Sequence, residues 1–323
     1  MADTLSRLGL GTSPLGNLYT EVTDREARAV IDGAWEAGVR IFDTAPHYGL
    51  GLAEKRLGAA LKDRPRDEFV LSTKVGRLLV PDPSGAGRLD DDGFVVPATT
   101  RRVWDFSADG VRRSLESSLD RLGLDRVDVV YLHDPDDHWE QAAGEALPAL
   151  AELREQGVVG AIGAGMNQWQ MLARFVRESE VDAVDVILLA GRYTLLEQPA
   201  LAELLPLCAE RGVDVLAAGL FNSGLLARQD VPDDATYDYR TAPADVVGRA
   251  RRIAAVCARH DTTLPAAALW FPFGHPAVTG ALIGARSTAE LRANVAAFAE
   301  PPPEGLWADL RAEGLLEAGV PTP

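Results

Sequence analysis

Short apolar runs and longer amphipathic stretches alternate along the whole chain. Each apolar run ends near a Gly, Asp or His, and a stretch with helical spacing of its apolar positions follows. The strand-like runs are 7–13 (RLGLGTS), 39–44 (VRIFDT), 68–75 (EFVLSTKV), 126–133 (RVDVVYLH), 158–165 (VVGAIGAG), 183–190 (AVDVILLA), 213–219 (VDVLAAG) and 277–284 (AVTGALIG). Helices are expected near 24–37, 52–62, 107–122, 143–156, 167–178, 199–211, 243–259 and 287–299, the third opening on Ser107 as its N-cap. Continuous Val, Ile, Leu and Ala runs suit parallel strands covered on both faces. Eight strand–helix units in about 280 residues predict an α/β fold, a (β/α)8 TIM barrel forming a single domain over residues 1–323. The alternative, an open doubly wound sheet, needs a Gly-rich fingerprint after an early strand, and GLGTSPLG has the wrong spacing.

Two connections are too long for turns: 76–106, after the third strand, and 220–242, after the seventh. Loops of this length are lids, binding loops or disordered segments. A barrel puts both over its C-terminal mouth, where barrel chemistry is built.

Composition narrows the function classes. Hydrophobic residues make up 47% and charged residues 25% of 323, the balance of a soluble globular chain. A net charge of −16 disfavours nucleic acid and anionic membranes as partners. Cys208 and Cys257 alone make no disulfide framework, which suits a reducing cytoplasm. The start, MADTLSRLGLGTSPLG, lacks a leader pattern, and no apolar run reaches the ~20 residues of a membrane span. Only Lys55, Lys62 and Lys74 are lysines, against 29 arginines.

The strand ends supply the candidate chemistry. The second strand ends at Asp43, with Tyr48 just beyond in FDTAPHYG. The third ends near Lys74 and the fourth at His133. Each has an ordinary structural reading: a cap, a pocket wall, a rim cation, a core histidine. Together they form a proton relay. Tyr is a poor acid or base near neutral pH, and a neighbouring ammonium is expected to lower its pKa. A carboxylate would fix the ammonium, and an imidazole beside the phenol would orient a carbonyl or hydroxyl. Such a site suits carbonyl reduction or alcohol oxidation, with hydride carried by a cofactor. A competing reading takes HDPDDH (133–138) as a metal-dependent hydrolase site, but all its ligands follow one strand.

The segments FDTAPHYG, LSTKVG, RSLESSLDRLGLDRVDVVYLHD and IGARSTAELRAN, in that order over roughly residues 7–299, resemble the aldo-keto reductases. WDFSADGVRRSLESSLDRLG and GLFNSGLLA are similar to the branch that holds L-fucose, D-threo-aldose and L-galactose dehydrogenases and pyridoxal 4-dehydrogenase. The resemblance implies an NAD(P)-dependent oxidoreductase of aldoses, sugar to lactone, with pyridoxal or general aldehyde chemistry as the alternative. It makes Asp43, Tyr48, Lys74 and His133 the catalytic tetrad. A non-catalytic nicotinamide-binding regulatory subunit is a further alternative on the same fold.

The resemblance also implies cofactor contacts from Asn167, Gly219, Phe221, Ser223, Leu225, Gly284, Arg286, Ser287, Glu290 and Asn294. The family's usual Ser before Asn167 is Met166 here, its Gln falls at Ala190, and its stacking aromatic falls near Ala218 or Gly219. Glu290 stands where members that use NADP often place Arg, so NAD is favoured over NADP. His47, Phe94, Trp104, Asp134, Trp139 and Tyr193 are the expected pocket walls. The expected partner is a small sugar or aldehyde, with no metal, and the chain is expected to be a cytoplasmic monomer or homodimer.

Overall fold

The alternation of strand and helix closes into a ring. A computed structural model describes residues 6–179, 183–238 and 240–323; the leader reading at residues 1–5 and Tyr239 of the 220–242 connection lie outside them. Eight strands form the barrel: β1 (Leu8–Gly11), β2 (Ile41–Asp43), β3 (Val70–Val75), β4 (Val127–His133), β5 (Val159–Met166), β6 (Val186–Ala190), β7 (Asp214–Ala218) and β8 (Val278–Gly284). Each pairs in parallel with its sequence neighbours, and β1 closes against β8, Leu8 opposite Ala281. Residues facing the axis pack inside the ring, with Tyr131, Leu188, Leu216 and Leu282 at the centre. The larger apolar core lies between the strands and the helices around them.

The outer helices that follow the eight strands are α1 (Asp24–Glu36), α2 (Leu52–Leu61), α3 (Ala108–Leu122), α4 (Leu147–Glu155), α5 (Trp169–Glu178), α6 (Leu204–Arg211), α7 (Ala244–Arg259) and α8 (Thr288–Phe298), with further helices at Leu264–Trp270 and Glu304–Ala312. Ser107 caps α3 as expected, accepting from the Gly110 N–H at 3.0 Å. Two helices depart from the predicted spans because proline cannot donate to the carbonyl four residues back. Pro206 interrupts the 199–211 stretch, so a 3-10 turn at Pro199–Ala202 precedes α6, which places Pro206 in its own first turn. Pro148 removes the bond to Gly144, and the turn before α4 widens into a π segment at Ala142–Ala146.

The connection at 76–106 is an anchored structure. Arg77–Pro81 pairs antiparallel with Thr100–Trp104, so Arg77 lies opposite Trp104 at the foot of a hairpin. Its far end is tied to the segment after β1: the Tyr19 N–H donates to Gly93 O at 2.8 Å and the Val95 N–H to Asn17 O at 2.9 Å. The Asn17 side chain completes the tie. Its Nδ2 donates to Val95 O at 3.1 Å, and its Oδ1 accepts from Val22 N and from Arg56 Nη1. Asn17 is buried at φ 69, a left-handed conformation that Asn tolerates better than Ala. Asn17→Ala is expected to lower unfolding free energy by about 2–3 kcal/mol, read from a denaturant titration, because three side-chain bonds and the backbone preference are lost together.

Candidate active site

Alternation along a strand decides which side chains reach the axis. On β2 Ile41 and Asp43 share a face, on β3 Ser72 and Lys74, on β4 Tyr131 and His133. Register sets Asp43 opposite Ser72 and Lys74 opposite Tyr131. The last axis-facing residues of three adjacent strands are therefore a carboxylate, an ammonium and an imidazole. Tyr48 joins them from the turn after β2. That turn lies close on the chain at Gly16: a Cβ on Gly16 would stand 2.7 Å from the Tyr48 carbonyl carbon, and one on Gly49 would stand 2.2 Å from Gly16 O. Two glycines thus let the Tyr48 backbone approach the barrel rim.

Asp43 and Lys74 are 2% and 1% exposed. Lys74 Nζ donates to Asp43 Oδ1 at 2.7 Å and to Thr44 O at 2.9 Å, and Ser72 Oγ donates to Asp43 Oδ2 at 2.7 Å. The pair is held rigidly, with both carboxylate oxygens used. Lys74 Nζ also stands 4.8 Å from the centre of the Tyr48 ring. The His133 ring meets that ring edge-on at 6.0 Å.

Charge states follow from this packing. Burial works against the Lys74 ammonium, but Asp43 and Tyr48 outweigh it and its pKa is raised. Burial pushes the Tyr48 phenol up, and the opposing pull of Lys74 is smaller. The expectation that Lys74 would lower the Tyr48 pKa is corrected in its net direction: desolvation wins, and the protein alone holds a neutral phenol. Burial, then the Arg77 and Lys74 cations, push His133 well below the usual imidazole range; burial, then Arg77, Arg102 and Lys74, bring His47 to about 2. Both imidazoles are neutral donors and acceptors at working pH.

Around the tetrad the expected pocket residues divide. His47 packs edge-on against Phe94 at 5.2 Å and His133 at 5.5 Å. Phe94, from the hairpin, also lies beside Tyr48 at 6.3 Å. Asp134 and Trp104 line an open cleft of about 280 Å3 together with Arg77, His138, Asn167 and Gln168. Asp136 and Asp137, in a solvent-facing 3-10 turn at Asp136–His138, border the same cleft. Tyr193 and Trp139 are elsewhere. Tyr193 is 2% exposed and packs on Phe271 at 5.2 Å, inside the core. Trp139 packs on Phe175 at 4.8 Å with the Arg174 guanidinium over its ring. The main residue that sequence reading missed is Arg77, whose guanidinium pairs with Asp134 and donates to His47 Nδ1 at 3.1 Å.

The expected cofactor residues form two groups at the same mouth. Asn167 donates to Ala190 O at 2.9 Å, and β6 and β7 end in Ala190 and Ala218, with Gly219 next, side chains no larger than a methyl. Beyond β7 the chain turns through left-handed residues at Gly219, Asn222, Ser223 and Gly224, with Phe221 half-buried on the core. Leu225 departs from expectation: its side chain is 1% exposed and its N–H is bonded to Asn222 O. After Gly284 at the end of β8, Ser287 caps α8, accepting from Glu290 N at 3.2 Å, while Glu290 Oε2 accepts from Arg286 N at 2.8 Å. Asn294 donates back to Gly284 O at 3.3 Å. A helix N-terminus beside an exposed Arg286 suits a phosphate, and the Asn167 amide suits a carboxamide. This donor set fits a nicotinamide dinucleotide. Among the described residues no three His, Cys, Asp or Glu converge as metal ligands.

A buried ammonium–carboxylate pair beside a phenol, at the mouth of a barrel, is equipped to move a proton at an oxygen while another group takes or gives hydride. The comparisons agree. The family model described as "Aldo/keto reductase family" matches residues 7–312. A D-threo-aldose 1-dehydrogenase from Pseudomonas sp is 50% identical over 98% of this chain and 95% of its own length. A pyridoxal 4-dehydrogenase from Microbacterium luteolum is 39% identical over 97% of this chain and 95% of its own. Among solved structures, the holo form of the aldo-keto reductase AKR11C1 from Bacillus halodurans superposes with a TM-score of 0.72 at 27% identity, covering 97% of this chain and 93% of that one. Closed parallel barrel, strand-end chemistry and full-length similarity lead to one statement: the chain is an oxidoreductase that works with a nicotinamide dinucleotide and belongs to the aldo/keto reductase family.

Proposed function

We propose that the protein is an aldose 1-dehydrogenase that prefers NAD and oxidises the anomeric carbon of a D-threo-type aldose to the lactone. The observation that carries this reading is the convergence of Tyr48, Lys74, Asp43 and His133 at the barrel mouth. The 50% identity to a D-threo-aldose 1-dehydrogenase supports the substrate class.

When bound, the nicotinamide supplies the hydride acceptor. The chain supplies the rest. Neutral His133 bonds the C1 hydroxyl and turns it toward Tyr48. The Tyr48 phenolate takes the hydroxyl proton as the C1–H bond breaks, and C1 becomes the lactone carbonyl. Lys74, charged and fixed by Asp43, stabilises that phenolate. In the reverse direction the Tyr48 phenol donates the proton to a carbonyl oxygen. Because burial raises the phenol's pKa, oxidation, which uses the phenolate, is expected to accelerate from neutral to alkaline pH, while reduction, which uses the phenol, stays flat until pH approaches that raised value.

Pyridoxal oxidation is the second reading, supported by the 39% identity to a pyridoxal 4-dehydrogenase and by the exposed Trp104 ring, a flat partner for a pyridine. A panel of L-fucose, other aldoses, pyridoxal and simple aldehydes with NAD and NADP, followed by absorbance of the reduced cofactor, separates the two. Turnover of pyridoxal with none of any aldose overturns the first reading.

The preference for NAD rests on Glu290. Its carboxylate is engaged at the first turn of α8 beside Arg286, where it opposes a ribose phosphate. Glu290→Gln is expected to raise the ratio of kcat/KM with NADP to that with NAD by about tenfold, near 1.4 kcal/mol of relieved repulsion. An unchanged ratio removes Glu290 from the argument.

A further inference from the structure

The foot of the hairpin joins the tetrad through one arginine. Arg77 is largely buried, and three neighbours fix its guanidinium. Nη2 pairs with the Asp134 carboxylate, Nη1 donates to His47 Nδ1 at 3.1 Å, and the guanidinium carbon stands 4.3 Å from the centre of the Trp104 ring. A guanidinium only donates, so His47 Nδ1 must accept, and the ring proton sits on Nε2. Arg77 therefore selects one tautomer of an imidazole that packs on both Tyr48 and His133.

Asp134 is the other half. It follows His133 directly and adopts φ 45, a left-handed conformation uncommon for a residue with a side chain. That turn, with the Asp134 N–H donating to Gly165 O at 3.1 Å, brings its Oδ2 to 3.6 Å from His133 Nε2. The carboxylate is 31% exposed and borders the cleft beside Trp104. Arg77 engages Oδ2; a carboxylate has about four lone-pair sites, so acceptor capacity remains for a ligand.

We infer that Arg77 and Asp134 form a hydroxyl clamp. Asp134 accepts a hydrogen bond from the substrate's C2 or C3 hydroxyl, one or two carbons from the reacting centre held by His133. Arg77 acts as a positioning residue: it fixes the carboxylate and the His47 tautomer. The clamp selects polyhydroxy substrates over those with a bare carbon next to C1. The inference rests on the aldose reading above and adds the residues that recognise the sugar. Sites built to bond a hydroxyl reject analogues lacking it far more strongly than apolar pockets reject a missing methylene.

The test pairs substrate edits with protein edits. L-fucose and its 2-deoxy and 3-deoxy analogues are oxidised with NAD by the wild-type protein, Asp134→Ala, Asp134→Asn and Arg77→Lys. Wild type is expected to discriminate against one deoxy analogue by about tenfold or more in kcat/KM, and Asp134→Ala by less than about threefold for the same analogue. The loss should lie mainly in KM for L-fucose. Arg77→Lys, which keeps the charge without the fork, should fall between them. Cofactor binding, read by quenching of protein fluorescence, reports folding, and Asp134→Leu, which like Ala offers no acceptor, replaces the Ala variant if that one fails to bind; Asp134→Asn, whose amide oxygen still accepts, should keep part of the discrimination. Equal discrimination by wild type and Asp134 variant overturns the clamp and leaves the aldose reading standing. Absence of turnover of L-fucose and other aldoses by wild type overturns both.

Discussion

Tyr48→Phe is expected to retain cofactor binding and to lose about 10³-fold or more in kcat for both oxidation and reduction. The substitution removes one oxygen and leaves the ring against Phe94, His47 and His133. General acid or base catalysis by a positioned group contributes about 10² to 10⁴ in rate, and no second group stands ready. His133 is buried, and burial pushes its imidazole well below the usual range, which disfavours it as the proton store. Lys74 is locked by Asp43 and Thr44 O. A stopped-flow measurement of reduced cofactor, with equal rates for the two proteins, would remove Tyr48 from the mechanism. The residual activity of Tyr48→Phe should also lose the alkaline rise, because the titrating group is gone.

Breaking the Asp43–Lys74 pair should cost stability as well as rate. Either Asp43→Ala or Lys74→Met strands an opposite charge at a site less than 3% exposed. Removing one partner of a buried pair typically costs about 3–5 kcal/mol, most of it the uncompensated charge left behind. At roughly 2 °C per kcal/mol for a chain of this size, Tm falls by roughly 6–10 °C. The double substitution should cost clearly less than the sum of the two, because nothing remains unpaired. Differential scanning calorimetry of the four proteins decides; strictly additive losses would mean that the pair is not energetically coupled. The sign with pH is also fixed. Lys74 has a raised folded-state pKa, so its contribution is complete below the unfolded value near 10.4 and fades as pH climbs through the folded value.

How much of this was legible in the sequence depends on the range of the interaction. Strand ends were legible because they follow from local apolar runs, and period two then points Asp43, Lys74 and His133 inward together. Tyr48 needed the barrel's closure as well as the FDTAPHYG resemblance. Arg77 was invisible for the opposite reason. It is one of 29 arginines, and its partners His47 and Asp134 lie 30 and 57 positions away on other elements. The hairpin itself had a faint local signal in the apolar flanks RLLVP and TRRVW, obscured by the Gly-, Pro- and Asp-rich stretch between them. Tyr193, Trp139 and Leu225 were misplaced because whether an apolar side chain faces a cleft or the core is settled by packing partners such as Phe271 and Phe175. Neighbouring sequence carries no trace of those partners.

The hairpin between β3 and α3 has a consequence for how such a protein can change over generations. It leaves the barrel and returns to it at adjacent points, since Arg77 and Trp104 face each other across its foot. The chemistry of proton movement sits on strands whose every residue is constrained by neighbours on two sides. The hairpin answers to fewer constraints where it faces solvent: the exposed stretch 86–89 can be lengthened or rewritten, while the Arg77 rung, Phe94 and the tie to Asn17 hold the rest in place. The strand-end chemistry and the solvent-facing part of the hairpin are therefore inherited on separate pieces of chain. A lineage can redraft that outer stretch without reinventing the ring beneath it.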